Sequence, residues 1–148
     1  MQKFTIKKEK EIKAPKNRVW QVLLTPEFFT EWGTAFCPDS KMKGDWKLGG
    51  SITYLDGNGM GLQGKVIEFD PNNRVTVEYD ATLLNGNATK EDEQGWIGCK
   101  ETYILSDKNG GTHLEVETEV PTVAFYEELG SGWDKAIQQI KNLAEKQN

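Results

Sequence analysis

Between Ser51 and Val120 the chain alternates apolar and polar residues in short runs separated by turn clusters, and after Pro121 it switches to a single stripe of helical spacing. No other feature restricts the fold as much. Strict alternation marks strands with one buried face, and runs joined by tight turns pair as an antiparallel meander. Ile52 and Tyr54 begin it, Asp56-Gly57-Asn58-Gly59 turns it, and Lys65 to Asp70 returns. Pro71-Asn72-Asn73 leads into Val75, Val77 and Tyr79; Lys100 to Ser106 and Thr112 to Val120 follow, joined at Lys108-Asn109-Gly110-Gly111. Phe4, Ile6 and Ile12 share a parity at the N-terminus, so about six strands are expected in all.

Helical spacing occurs in three places. Pro15 suits a first helical position ahead of Val19, Trp20, Val22 and Leu23, which predicts a helix over about 15–24. Thr25-Pro26-Glu27 reads as a second start, with Phe28, Phe29 and Trp32 as the buried side and Gly33 as the stop. Trp133, Ala136, Ile137, Ile140, Leu143 and Ala144 mark the terminal helix. Ser131-Gly132-Trp133-Asp134 resembles a capping box at its front. Phe125, Tyr126 and Leu129 could extend the helix forward, but Gly130 and Gly132 would each cost about 1 kcal/mol inside it, so a kink or a fresh start is expected there. Strand, two short helices, meander and final helix make an α+β domain with one sheet.

The length of 148 residues suits one domain spanning 1–148, large enough for a substantial core. With 18 basic against 23 acidic residues the net charge is -5, which offers no broad basic field for nucleic acid or anionic membranes. No run is long and apolar enough for an integral membrane segment. The Lys- and Glu-rich N-terminus is unlike a signal peptide, so a cytoplasmic protein is expected. Cys37 and Cys99 are far apart and outside any CxxC spacing, which predicts two reduced thiols and no zinc site. The single histidine, His113, shares its strand side with Glu115, Glu117 and Glu119, which predicts a solvated surface histidine and leaves few ways to build a catalytic triad. Composition therefore favours a binding domain over a catalytic one, with no metal and no cofactor.

Two motifs mislead. Gly59-Met60-Gly61-Leu62-Gln63-Gly64 has the letters of a dinucleotide fingerprint, but a strand follows where a helix N-terminus must hold the pyrophosphate. Asp56-Gly57-Asn58-Gly59 begins like a calcium loop, yet Met60 and Ile67 stand at ligand positions. Asn87-Ala88-Thr89 is a glycosylation triplet without an expected secretory route.

An ordered set of segments resembles the START-related helix-grip superfamily: Ile12-Lys13-Ala14-Pro15 with Val19-Trp20, Thr25-Pro26-Glu27 with Trp32, Trp46-Lys47-Leu48-Gly49-Gly50-Ser51-Ile52, Gly64 to Pro71, Gly111 to Leu114, and Gly132-Trp133. Within it the chain looks most like homologues of the activator of heat-shock protein ninety ATPase, over about residues 12–144. The resemblance implies a curved antiparallel sheet of about seven strands gripping the terminal helix, with the extra strand in 36–43. It also implies a ligand between helix and concave face. Tyr54, Tyr79 and Tyr103 from strands, Trp32 from the short helices, and Trp133 and Ile137 from the terminal helix are the lining candidates; the competing reading is a dry core.

Glu101 shares alternation with Tyr103 and Leu105. It is read either as an inward carboxylate with a raised pKa, able to act as general acid or base, or as a strand-end carboxylate that reaches solvent or pairs with a lysine. Trp96 follows the acidic run Glu91-Asp92-Glu93, expected as a mobile loop, and would be a lid, a partner anchor or packed core. Binding of a small apolar or aromatic molecule is the leading expectation. A cochaperone-like domain with a chaperone or other protein partner is the alternative, and a cyclase, dehydratase or hydrolase using Glu101 and a tyrosine is the third.

Overall fold

In the computed structural model, which describes residues 3–146, one antiparallel sheet wraps the terminal helix. Strand β1 (Phe4–Ile12) precedes helices α1 (Lys16–Leu24) and α2 (Pro26–Trp32), and a 3-10 turn at Gly33–Ala35 continues past the expected stop at Gly33. Then come β2 (Lys41–Gly44), β3 (Ser51–Leu55), β4 (Gly61–Asp70), β5 (Arg74–Leu84), β6 (Asn87–Thr89), β7 (Lys100–Lys108) and β8 (Gly111–Val120), and α3 (Val123–Glu145) closes the chain. The sheet order is β1-β8-β7-β5-β4-β3-β2, with the short β6 paired to the far end of β5. This is the expected α+β helix-grip arrangement. The extra strand, Lys41–Gly44, overlaps the end of the segment 36–43 implied for it and runs one residue past it. Three residues of the supposed loop from Asn85 to Gly95 form β6 instead, because Leu83 and Leu84 at the end of β5 offer them an unpaired edge.

The sheet curls where β4 slips its register against β5, between Gln63 and Gly64 and again between Val66 and Glu68. Such irregularities bend a strand and increase its twist. Gly64 makes the first possible: a Cβ there would lie 2.5 Å from Val77 Cγ1 and 2.9 Å from the Glu78 carbonyl oxygen. The concave face buries Ile6 and Ile12, Val75 and Val77, Tyr103 and Leu105, and Leu114 and Val116 against Ala136, Ile137 and Ile140 of α3.

The expected start of the terminal helix at Ser131 is corrected. α3 begins eight residues earlier, at Val123, capped by Thr122, whose side-chain oxygen accepts the Phe125 N–H at 3.1 Å. Its stripe runs through Phe125, Leu129 and Trp133 onto the core, and that packing outweighs the cost of two glycines. Gly132 sits against Phe36, whose ring carbon would be 2.9 Å from an added Cβ, so the missing side chain lets α3 approach the 3-10 turn. Gly130 has no such neighbour within 4 Å. Gly130→Ala is therefore expected to stabilise the protein by about 0.4–1 kcal/mol, measured by thermal or denaturant unfolding; a loss of stability would show that the helix does break there.

Candidate functional site

Glu101 is placed by strand register. It lies opposite Val77 on β5 and Thr118 on β8, and Thr118 in turn lies opposite Ile6 on β1. Residues paired across strands share a face, so this carboxylate sits in an inward row otherwise made of Ile6, Thr118 and Val77. Tyr79 and Tyr103 stand two residues from that row along β5 and β7, close enough to turn their hydroxyls onto it. Tyr79 donates to Glu101 Oε1 at 2.9 Å, Tyr103 donates to Oε2 in a short hydrogen bond, and the Thr118 hydroxyl reaches Oε1 at 3.5 Å.

No lysine, arginine or histidine pairs with Glu101 among the described residues, so the strand-end reading with a lysine partner is corrected. Desolvation pushes the Glu101 carboxyl above its usual range, while the hydroxyls of Tyr103, Tyr79 and Thr118 oppose that shift. The phenols of Tyr54, Tyr79 and Tyr103 are held well above theirs, by burial first and then by the nearby Glu101 charge. The Tyr54 hydroxyl, on β3, is buried beside that of Tyr103 without a well-aligned hydrogen bond.

Glu101, Thr118, Tyr54 and Tyr79 line a cavity of about 730 Å³ that opens to solvent, within the roughly 300–1,000 Å³ of small-molecule sites. A continuous aromatic row forms its wall. Phe125 packs on Trp96 with ring centroids 4.9 Å apart, Trp96 and Tyr54 each meet Tyr79 at 6.3 Å, and Tyr54 meets Phe29 at 5.7 Å. Phe29 meets Trp32 at 4.8 Å, and Trp32 leads to Trp133 at 5.8 Å. All these contacts are tilted or edge-to-face, the arrangement that aromatic quadrupoles prefer, so the rings brace one another instead of collapsing into the space. The Trp32 indole N–H donates to the Val22 carbonyl at 2.9 Å, which fixes it between α1 and α2.

Trp96 is held from the other side. The Asp92 carboxylate accepts the backbone N–H groups of Gly95, Trp96 and Ile97 at 3.0, 2.8 and 2.7 Å, so the acidic run is a structured turn rather than a plain loop.

Of the sequence candidates, Trp32, Tyr54, Tyr79, Trp96, Glu101 and Trp133 line the cavity. Tyr103 does not; its ring packs against Trp133 at 6.1 Å and its hydroxyl is spent on Glu101. Ile137 is also corrected, because it is buried in the core one turn beyond Trp133 on α3. Phe29, Phe36, Leu62 and Phe125 line the cavity and were not singled out from the sequence. The helical spacing of Phe125 and Leu129 ahead of Trp133 was the available signal, masked by the expected break at Gly130.

His113 is half-buried on the outer face of β8, with Nε2 2.8 Å from Glu9 and 3.7 Å from Glu115. Cys37 and Cys99 are free thiols, Cys99 being buried. Asp56 accepts the N–H groups of Asn58 and Met60 at 2.8 and 3.0 Å in the β3–β4 hairpin, and the strand β4 follows the glycine motif. No helix among the described residues is long and apolar enough to cross a membrane.

Solved structures share this architecture. Protein MLL2253 from Mesorhizobium loti superposes with a TM-score of 0.78 at 19% identity, over 98% of this chain and 99% of that one. The Aha1 dimer from Colwellia psychrerythraea gives 0.74 at 21% identity over 97% of each chain. Protein CV1439 from Chromobacterium violaceum gives 0.72 at 21% identity, over 97% and 98% of the two chains. At these identities the likeness concerns the fold. No curated protein sequence matches the chain. Residues 13–145 match the model of the Activator of Hsp90 ATPase homolog 1-like proteins, so nine-tenths of the sequence carries the pattern seen in the helix-grip structure, and the chain belongs to that family.

Proposed function

We propose that this domain binds a small, largely aromatic or apolar molecule in the cavity between the curved sheet and α3. The observation that carries the reading is the open space of about 730 Å³ walled by a continuous row of aromatic rings, with the Glu101 carboxyl set among them. Trp32, Tyr79, Trp96 and Trp133 supply the flat apolar contacts, and Glu101 supplies the polar end.

Native mass spectrometry of the protein as purified tests this, together with a thermal-shift panel of apolar aromatic compounds. A ligand at a hundred times its Kd adds about 2.7 kcal/mol, which is several degrees in Tm for a chain of this size. The expected result is a retained adduct of one small molecule per chain, or a panel compound giving such a shift. A bare mass with no shift across the panel contradicts the proposal.

Two observations favour other readings. Family membership favours a cochaperone-like domain acting on a heat-shock protein ATPase, for which stimulation of that ATPase by this protein is the direct assay. The convergence of Glu101, Tyr79 and Tyr54 meets the first geometric requirement of acid–base chemistry. Against it, no histidine, lysine or cysteine lines the cavity among the described residues, so no strong nucleophile stands beside the carboxyl.

A further inference from the structure

The charge of the cavity is one-sided. Asp56, Glu91, Asp92, Glu93 and Glu101 line it, and among the described residues no lysine, arginine or histidine does. The carboxylates of Asp56 and Asp92 are engaged by backbone N–H groups of their own turns, and Glu91 and Glu93 are exposed at the mouth. Glu101 alone stands inside, without a cation. A carboxylate offers about four lone-pair directions, and three hydroxyls use three of them. The last direction has no donor from the protein. Tyr79, which donates to this carboxylate, belongs to the aromatic row, between Tyr54 and Trp96.

An anionic guest would meet a buried like charge and an acidic mouth with nothing to offset either. A neutral guest would leave the interior carboxyl with only a proton to offset its charge. A protonated amine on an aromatic frame answers both features: its N–H donates to Glu101, and its frame fills the aromatic row. Resting on the binding function proposed above, we infer that the guest of this cavity is a cationic aromatic or polycyclic amine, held by Glu101 and the tyrosines around it.

The test is competition against the neutral dye Nile red bound to the whole protein near neutral pH, using naphthylethylamine, naphthylethanol and naphthylpropionate. The three share one ring system and differ in charge. The amine is expected to displace the dye at least ~10-fold more tightly than the alcohol, with the acid weakest. In Glu101→Gln, with the dye affinity measured afresh, the amine advantage over the alcohol is expected to fall to about twofold or less. The ranking in the unaltered protein stands as a test by itself should the variant fold poorly. Dye bound but displaced equally by amine and alcohol, or best by the acid, overturns the inference and leaves the binding function standing. Failure of the protein to bind the dye or any of the three overturns the binding function itself.

Discussion

Replacing Trp32 by alanine is expected to lower stability by about 3–5 kcal/mol, the range for deleting a large aromatic from a core. Trp32 is only 1% exposed, and its ring joins three helices. It packs on Phe29 of its own helix and on Trp133 of α3, and its N–H holds the Val22 carbonyl of α1. Removing it takes away the apolar burial and leaves that carbonyl to find water. It also opens one end of the cavity, since Trp32 belongs to the wall. By contrast, Leu48→Ala, at a leucine 68% exposed, is expected to change stability by less than about 0.5 kcal/mol. Urea unfolding of the two variants beside the parent checks both numbers. A Trp32→Ala loss below about 1 kcal/mol would show that the short helices are not clamped to α3 through this ring.

The second large effect concerns pH. Desolvation raises the Glu101 carboxyl above its ordinary 4.5, so the folded protein holds this proton more tightly than the unfolded chain does. Its contribution to stability is therefore fully present below about pH 4.5 and is lost as pH rises through the raised value of the folded state. Glu11, Glu68 and Glu145 have the opposite shift, held low chiefly by hydrogen bonds from Lys108, from Thr76 and from the Lys13 backbone, and their contributions are lost on acidification. Glu101→Gln keeps an acceptor oxygen for the tyrosines and removes the titrating proton. The difference in stability between parent and variant, followed from acid to neutral pH, is expected to move in the variant's favour above about pH 4.5. Every other titrating group is common to both proteins and cancels in that difference. A flat difference, or one moving toward the parent, would mean that the carboxyl is solvated as an ordinary surface acid.

How much of this was readable before any coordinates depended on the range of the interaction. Alternation placed Ile52, Val75, Val77, Tyr103 and Leu114 inside, because side-chain direction along a strand is a local property. The pair Thr25-Pro26 announced α2 for the same reason, although the Thr25 side chain makes no capping hydrogen bond. Parity also put Glu101 on the side of Tyr103. It could not show that Thr118 and Val77 would lie opposite, nor that no lysine would, since those are choices of register between strands distant in sequence. The start of α3 was misplaced because the glycines at 130 and 132 count against a helix locally, while the favourable packing of Phe125 and Leu129 is tertiary. β6 was missed because three residues are too few to show a period. The Asp92 turn that seats Trp96 rests on one carboxylate meeting three N–H groups, which no spacing rule foretells.

The proposed function requires that the space between sheet and helix take up a guest rather than stand as a packing defect. Leu62 lines it from β4, where it lies opposite Tyr54 on one side and Thr82 on the other. Leu62→Trp would place an indole inside the space. The most direct measurement is a fluorescence titration of Nile red into the parent and into Leu62→Trp, with the fold of each checked by thermal unfolding. The account predicts saturable uptake of one dye per parent chain and at least ~10-fold weaker binding by a folded variant. Binding of equal strength in both, or no saturable binding by the parent, would contradict it.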